Sequence, residues 1–247
     1  MDTMNHVYRA LAETMVNHGV VKLPLQISGD VGIATKCFKL FLEESRKYRE
    51  MWNFWGLKDG ESVLDVGYKE RGNAPGEDAK HLFHWSPDLV ELLQERKVDI
   101  SRHRKLLRSC QASSYWCMGV FVNLGKALDV VMPGYHLYER VSHRANWRQV
   151  ILRLGQYKEV SGRRVIGKGH TDKSFLTIHL CDSHPGLHFA GGDPIRTRNQ
   201  ILVFPGDKME QVTKGEMKAV WHEVTDERSA EDRTPRSFSV FFSNISY

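Results

Sequence analysis

The most informative segment of the chain is GKGHTDKSFLTIHL, residues 167–180. It joins a short polar motif, His170-Thr171-Asp172, to an apolar run with the character of a β-strand. Residues i and i+2 of an extended segment point to the same side, so His170 and Asp172 can present an imidazole and a carboxylate to one ion. A third ligand can come from His222, which lies on a later strand-like run. Two histidines and one carboxylate on one face of an octahedron suit non-heme Fe(II).

The H-x-D motif alone is short enough to occur by chance, and its surroundings strengthen the metal-site interpretation. A glycine-rich turn precedes it, and PGD at residues 205–207 leads into the strand with His222. Downstream, Arg236 opens a strand with the sequence RSFSVFF. A guanidinium at this position could bind a carboxylate inside a barrel through two parallel hydrogen bonds.

The second half of the chain has the pattern of an all-β structure. Short apolar runs are separated by turn residues, which is typical of a sandwich or jelly roll. The predicted strands are Val150–Tyr157, Leu176–Leu180, Gly186–Phe189, Ile201–Phe204, Lys218–Val224 and Phe238–Phe242.

The first half is predominantly helical by periodicity. We predict a helix over His6–Asn17, a short strand over Val20–Leu23, and a second helix from an Asp30 N-cap to Met51. Leu57–Pro87 is rich in glycine and proline and predicts turns, although its aromatic residues indicate packing. Asp88–Met132 predicts two helices with a break near Asp99–Ser101. The fold class is therefore α+β in a single domain, with helical and loop cover over 1–149 and a jelly-roll core over 150–247.

Composition limits the function without specifying it. The 247 residues are 41% hydrophobic and 26% charged, with a mean hydropathy of −0.44, as in an ordinary globular domain. The four cysteines include no CxxC pair, no apolar run is long enough for a membrane span, and the first twenty residues lack a signal-peptide pattern. We therefore expect a cytoplasmic protein. The net charge of +5 is scattered rather than clustered, which favours a small anionic ligand over nucleic acid.

Taken in order along the chain, these motifs resemble those of the 2-oxoglutarate and Fe(II)-dependent dioxygenases, specifically the isopenicillin-N-synthase-like branch. The resemblance extends over nearly the whole chain. The matching segments are HTD with LT at residues 170–177, GL at 186–187, PGDKM at 205–209 with His222 downstream, and LRLGQY at 152–157.

The resemblance implies a double-stranded β-helix in which His170, Asp172 and His222 hold iron and form the catalytic centre. Arg236, assisted by Tyr157, would bind the distal carboxylate of 2-oxoglutarate. It further implies consumption of O2 and release of succinate and CO2, with ascorbate as a supporting reductant. The product would be a hydroxylated, desaturated or cyclised small molecule, as in secondary metabolism.

Two positions depart from the family pattern. The serine of the family's Arg-x-Ser is Phe238 here, and by period-2 alternation Ser237 and Ser239 should face away from Arg236. The asparagine of the LRLNYY-like strand is Gly155, which we expect to leave space in the pocket.

Further side chains have two interpretations each. Arg153 should face inward with Gly155 and Tyr157, where it could bind a substrate carboxylate or form a structural ion pair. His179, His184 and His188 surround a turn, which predicts positions at the surface or the rim.

The alternatives for function are an oxygenase of protein or nucleic acid, and a non-catalytic binding protein on the same scaffold. A second arginine, normal in demethylases that act on nucleic acid, is replaced by Phe242. Because the chain is short for the family, we also expect a pocket that is unusually open or closed by an oligomeric partner.

Overall fold

The helices and strands of the computed structural model are described over residues 2–23, 29–59, 62–72, 78–143, 147–158, 165–190, 192–195, 201–226, 228, 232 and 234–243. The helices are α1 (Asp2–His18), α2 (Gly29–Leu42), α3 (Arg46–Glu50), α4 (Leu89–Glu95), α5 (Arg104–Val131), α6 (Leu137–Ser142) and α7 (Asp207–Val212). The strands are β1 (Val21–Leu23), β2 (Asn53–Asp59), β3 (Ser62–Arg71), β4 (Lys80–Trp85), β5 (Ile151–Tyr157), β6 (Val165–His170), β7 (Leu176–Asp182), β8 (Leu187–Phe189), β9 (Ile201–Pro205), β10 (His222–Thr225) and β11 (Ser237–Ser243).

The strands form two antiparallel sheets with a cavity between them. The larger sheet has the order β1-β9-β7-β11-β5-β4-β3-β2, and the smaller has the order β6-β10-β8. This is a double-stranded β-helix with packed helices, which confirms the predicted fold class. Strand β1, which directly follows the first helix, pairs with β9 at the edge of the larger sheet.

Strand β11 shows how the larger sheet buries both of its faces. Phe238, Val240 and Phe242 line the cavity. On the other face, the Ser239 hydroxyl lies 3.0 Å from the hydroxyl of Thr35 in α2, and Phe241 packs against an aromatic ring of α5. Alternate residues thus serve the cavity and the helical layer, which explains why the strand is apolar throughout.

The helix predicted from Asp30 to Met51 is wrong, because the segment forms two helices. The backbone leaves the helical path after Leu42, and Ser45 caps α3 by accepting a hydrogen bond from the Tyr48 amide at 3.3 Å. A serine hydroxyl competes well for such an amide, so it favours a new helix start over continuation. Asp30 lies in the first turn of α2 and is not its N-cap.

The turn-rich interpretation of Leu57–Pro87 is also wrong, since the segment contributes to three strands of the larger sheet. One glycine just before this segment and one within it lie at irregular positions of strands and do not form turns. Gly56 has a φ of 73° at a register shift between β2 and β3. Gly67 has a φ of 81°, and a Cβ there would lie 1.8 Å from the Trp52 carbonyl oxygen. Glycine in a strand allows such bulges and close approaches.

The remaining elements agree with the predicted pattern except for a later strand start and some unpredicted elements, among them α7. The break between the helices before and after Asp99–Ser101 is confirmed, as are the strands around 150–157, 176–182, 187–189, 201–205 and 237–243. The strand predicted over Lys218–Val224 begins only at His222, while β6 and α6 were not predicted. No helix within the described ranges combines the length and apolar character that a membrane span requires.

Candidate active site

Three side chains converge where the smaller sheet faces the cavity. His170 ends β6, His222 begins β10, and the two residues are direct partners across these antiparallel strands. Asp172 follows two residues after His170. One ligand atom from each of these side chains lies within 4.8 Å of the other two. The structure brings these three residues together, while their role as metal ligands stays a prediction, and we refer to them as the triad.

Neighbouring groups orient each member of the triad. The Nδ1 atoms of His170 and His222 lie 2.7 Å and 3.1 Å from the backbone oxygens of Lys168 and Val220. Each Nδ1 therefore carries the proton and donates it, which leaves the Nε2 lone pair for a metal. The hydroxyl of Thr177 donates to Asp172 Oδ2 at 2.8 Å. Such contacts fix the tautomer and direction of metal ligands.

The electrostatic setting favours an ionised carboxylate at the centre of the triad. Burial alone would raise the pKa of Asp172, but His170, His222 and the Thr177 hydroxyl together lower it. The Asp172 carboxylate raises the pKa of His170, whose Nε2 lies 3.6 Å from Oδ1. Two imidazole nitrogens and one anionic oxygen in this arrangement fit an octahedral Fe(II) bound through one face.

At the far end of the cavity, Arg236 is held by a buried carboxylate. Its Nη2 lies 2.7 Å from Asp182 Oδ1, and both side chains are only 1% exposed. The second oxygen of Asp182 lies 2.7 Å from His179 Nε2, and Arg236 Nε donates to the His184 carbonyl at 3.2 Å. Arg236 Nη1 is buried without a hydrogen-bond partner among the described residues. An arriving carboxylate would supply the missing acceptor, so the site fits a dicarboxylic co-substrate.

The predicted rim position of His179 is wrong. The side chain is buried, because its bond to Asp182 satisfies the imidazole inside the cavity wall. Asp182 itself was missed by sequence reasoning. The signal that could have found it is Arg236, since a buried guanidinium requires a nearby carboxylate. His184 is half-buried, and the side chain of His188 lies 2.6 Å from the Thr225 hydroxyl.

Tyr157 lines the same end of the cavity as Arg236. The centre of its ring lies 5.6 Å from the guanidinium carbon. Burial raises the pKa of the phenol above its usual range, so the hydroxyl stays protonated and can donate a hydrogen bond. The geometry is compatible with the assisting role that the sequence predicts.

Arg153 faces the cavity as predicted, but none of the described residues forms the structural ion pair considered for it. No carboxylate of the described residues lies within 4 Å of its guanidinium. Its Nε donates to His84 Nε2 at 2.7 Å, and its guanidinium carbon lies 4.6 Å from the centre of the Phe242 ring. Lys80, to which the sequence assigned no role, lines the same cavity.

Phe238 and Gly155, the two positions that depart from the family pattern, lie next to each other at the cavity. Ser237 and Ser239 face away from the cavity, as the alternation predicts. The expectation that Gly155 leaves space is wrong, because the ring of Phe238 fills it.

Fold and triad together fit a non-heme Fe(II) centre. Residues 147–244 match the model of the 2OG-Fe(II) oxygenase superfamily. That segment contains the triad and Arg236, so this part of the chain is similar to the oxygenases of that superfamily. The narrower isopenicillin-N-synthase-like branch remains a prediction. No curated protein sequence matches the chain.

Solved structures share the fold at low sequence identity. A full-length Neurospora crassa protein in complex with alpha-KG and thymine superimposes with a TM-score of 0.74 at 18% identity, covering 100% of this chain and 82% of that one. The dioxygenase for auxin oxidation 1 from Arabidopsis thaliana, as its 2-oxoglutarate complex, gives 0.70 at 16% identity and covers 99% and 90%. A putative oxygenase from Shewanella oneidensis gives 0.72 at 15% identity and covers 96% and 86%. These likenesses establish the fold alone.

Proposed function

We propose that the chain is an Fe(II)- and 2-oxoglutarate-dependent oxygenase that hydroxylates, desaturates or cyclises a small molecule and releases succinate and CO2. Its metal ligands would be His170, Asp172 and His222. When bound, iron supplies the redox chemistry that couples O2 and 2-oxoglutarate to oxidation of a substrate C–H bond. Ascorbate would serve as a supporting reductant. The proposal treats residues 1–247 as one domain.

The observation that carries this proposal is the orientation of the triad. Both imidazoles use Nδ1 for backbone contacts and present Nε2 to the carboxylate of Asp172. A histidine cluster that only stabilises the fold does not require two imidazole lone pairs and a carboxylate to point at one position. Metal binding explains why these three groups share one wall of a cavity of about 70 Å³.

The protein's own residues would bind and orient the co-substrate. Arg236 offers its unpartnered Nη1 to the distal carboxylate, and Tyr157 offers a neutral hydroxyl beside it. Asp182 and His179 hold the guanidinium in place, so little side-chain entropy is lost on binding. Phe238 lines the cavity beside Tyr157, with the two ring centres 5.3 Å apart.

A small primary substrate is supported by the volume of the cavity that the triad lines, about 70 Å³. The Neurospora crassa protein that shares the fold was solved with thymine, a single nucleobase. Arg153 would contact the substrate, since its guanidinium faces the cavity without a carboxylate of the described residues within 4 Å.

The test is an anaerobic titration of the purified protein with Fe(II) and 2-oxoglutarate. We expect the weak visible charge-transfer band of the iron chelate, followed by succinate release when O2 is admitted. The His222→Ala variant should lose both signals, because it retains only two ligands. His6→Ala is a matched control, since His6 lies exposed on α1. Absence of the band in the unaltered protein would overturn the proposal, as would an unchanged band in His222→Ala.

A further inference from the structure

Two cations on neighbouring strands line one wall of the cavity. Lys80 begins β4 and lies opposite Tyr157 of β5, while Arg153 of β5 lies opposite His84 of β4. Alternation along the strands directs both cationic side chains to the same face of the sheet. The Lys80 Nζ atom lies 5.4 Å from the centre of the Tyr157 ring.

Charge balance sets this wall apart from the rest of the cavity. Arg236 is neutralised by Asp182 at 2.7 Å, and Asp172 belongs to the triad. Lys80 has one long ion pair, 3.4 Å to Asp78. Arg153 has no carboxylate of the described residues within 4 Å. Positive charge therefore exceeds negative charge on the wall that Lys80 and Arg153 share.

Keeping these charges out of water costs free energy. Burial is the main cause that lowers the pKa of Lys80 to about 8, and it also lowers the pKa of Arg153. Buried cations are normally paired, because an uncompensated charge is expensive in a low dielectric. The ring of Phe242 and the imidazole of His84 hold the Arg153 guanidinium without negative charge, and the Asp172 carboxylate offsets the effect of burial only in part. An anion entering the cavity would supply that compensation.

We propose that Lys80 and Arg153 form a subsite for a carboxylate of the primary substrate. This assignment rests on the proposed function, in which the triad oxidises that substrate. With Nε engaged by His84, the two terminal amino groups of Arg153 have no hydrogen-bond partner among the described residues, and they match a carboxylate in geometry. Lys80, on the same face of the sheet and opposite Tyr157, adds a second positive charge to this wall.

A carboxylate in this cavity could come from the primary substrate or from 2-oxoglutarate. The Arg236 end already offers 2-oxoglutarate a buried donor without a partner among the described residues. Lys80 lies beside Tyr157, but Arg153 lies opposite His84, four residues along β5 from Tyr157, so the structure favours the primary substrate as the ligand of Arg153. The subsite therefore restricts the substrate class to small carboxylic acids.

The test uses the Fe(II)-loaded protein saturated with 2-oxoglutarate under anaerobic conditions. Binding is measured by calorimetry for a panel of aliphatic and aromatic monocarboxylates, each compared with its neutral carboxamide. At least one carboxylate should bind about tenfold or more tightly than its amide, as expected for charge-assisted hydrogen bonds. Lys80→Met and Arg153→Gln should each abolish most of that preference and leave the dissociation constant for 2-oxoglutarate within about twofold.

The other possible results of this experiment distinguish the subsite from the alternatives. No preference for any carboxylate over its amide in the unaltered protein overturns the subsite, even if the variants do not fold. Arg153→Lys keeps the charge and should retain part of the preference, whereas full loss would contradict the electrostatic basis. Weakened 2-oxoglutarate binding in the variants would assign the cations to the co-substrate and overturn the proposal. Loss of the chelate band in the unaltered protein would instead refute the proposed function.

Discussion

The ring of Phe238 occupies the position that a side chain at residue 155 would need. The two residues face each other across β11 and β5, and a Cβ at Gly155 would lie 2.1 Å from Phe238 Cζ. A serine at 238 and an asparagine at 155, the pattern of the family that the sequence resembles, are both replaced at one point of contact. The two departures therefore form one coupled change, in which a large side chain requires the absence of its neighbour.

Gly155→Ala should destabilise the protein because the new methyl group overlaps the Phe238 ring. We expect a loss of about 1–3 kcal/mol in the free energy of unfolding, the usual cost of overpacking. Phe238→Ser should also destabilise, through the cavity that it leaves. The double variant should be more stable than the sum of the two single-variant losses predicts. The difference, measured by urea denaturation, should be a coupling free energy of about 0.5–3 kcal/mol. Gly119→Ala on α5 is the control, since a Cβ there meets nothing within 4 Å. Additive effects would contradict the coupling.

Asp182→Asn should destabilise the protein far more than an exposed substitution such as Glu95→Gln on α4. It removes the negative charge 2.7 Å from a guanidinium that is 1% exposed. Breaking one partner of a buried ion pair typically costs about 3–5 kcal/mol. Thermal unfolding should also show a larger stabilisation of this variant by 2-oxoglutarate, because the incoming carboxylate replaces part of the lost charge. Equal ligand-induced shifts in both proteins would contradict that role for Arg236.

Thr177→Val should weaken metal binding without unfolding the protein. The substitution keeps the shape of the side chain but removes the hydroxyl that donates to Asp172 Oδ2 at 2.8 Å. Loss of such an orienting contact usually reduces metal affinity about 10–100-fold. Titration with Fe(II) or Co(II) measures the change, and Thr14→Val on the exposed face of α1 should leave the affinity unaltered. An unchanged affinity would show that Asp172 is oriented by its other neighbours.

Stability should increase with pH in a way that depends on Lys80. Burial lowers its folded-state pKa from 10.5 to about 8. Between those values the unfolded chain binds a proton that the folded protein does not, so the free energy of unfolding rises with pH. The slope from this one group approaches about 1.4 kcal/mol per pH unit. In urea denaturation from pH 7 to 10, the stability advantage of Lys80→Met over the unaltered protein should shrink. Parallel pH profiles would contradict the depressed pKa.

The position of the triad was predictable because local spacing encodes most of it. His170 and Asp172 share a face through the period of a strand, and the same rule correctly placed Ser237 and Ser239 on the face opposite the cavity. In contrast, the contacts of Asp182 and Lys80 depend on which strands become neighbours. The sequence around each residue does not contain that information. Their roles follow only once β7 lies beside β11 and β4 beside β5.

The glycines of residues 56–87 explain why strands β2 to β4 were predicted as turns. The segment after Trp55 combines glycines with polar residues, a composition that normally indicates turns. At Gly56 and Gly67 the positive φ instead accommodates a bulge and a close backbone approach within a continuous antiparallel meander. Sequence alone does not separate these two uses of glycine, because both require the same backbone conformation.

The pairing of β1 with β9 has a consequence for the order of folding. Val21 lies opposite Val203, about 180 residues later in the chain. During synthesis, β1 therefore cannot pair until the ribosome has made most of the polypeptide, including β9. Pairing over such a distance raises the contact order and slows the search for the native topology. The edge of the larger sheet is thus completed late, and the nascent chain carries an unsatisfied strand that a chaperone could protect in the meantime.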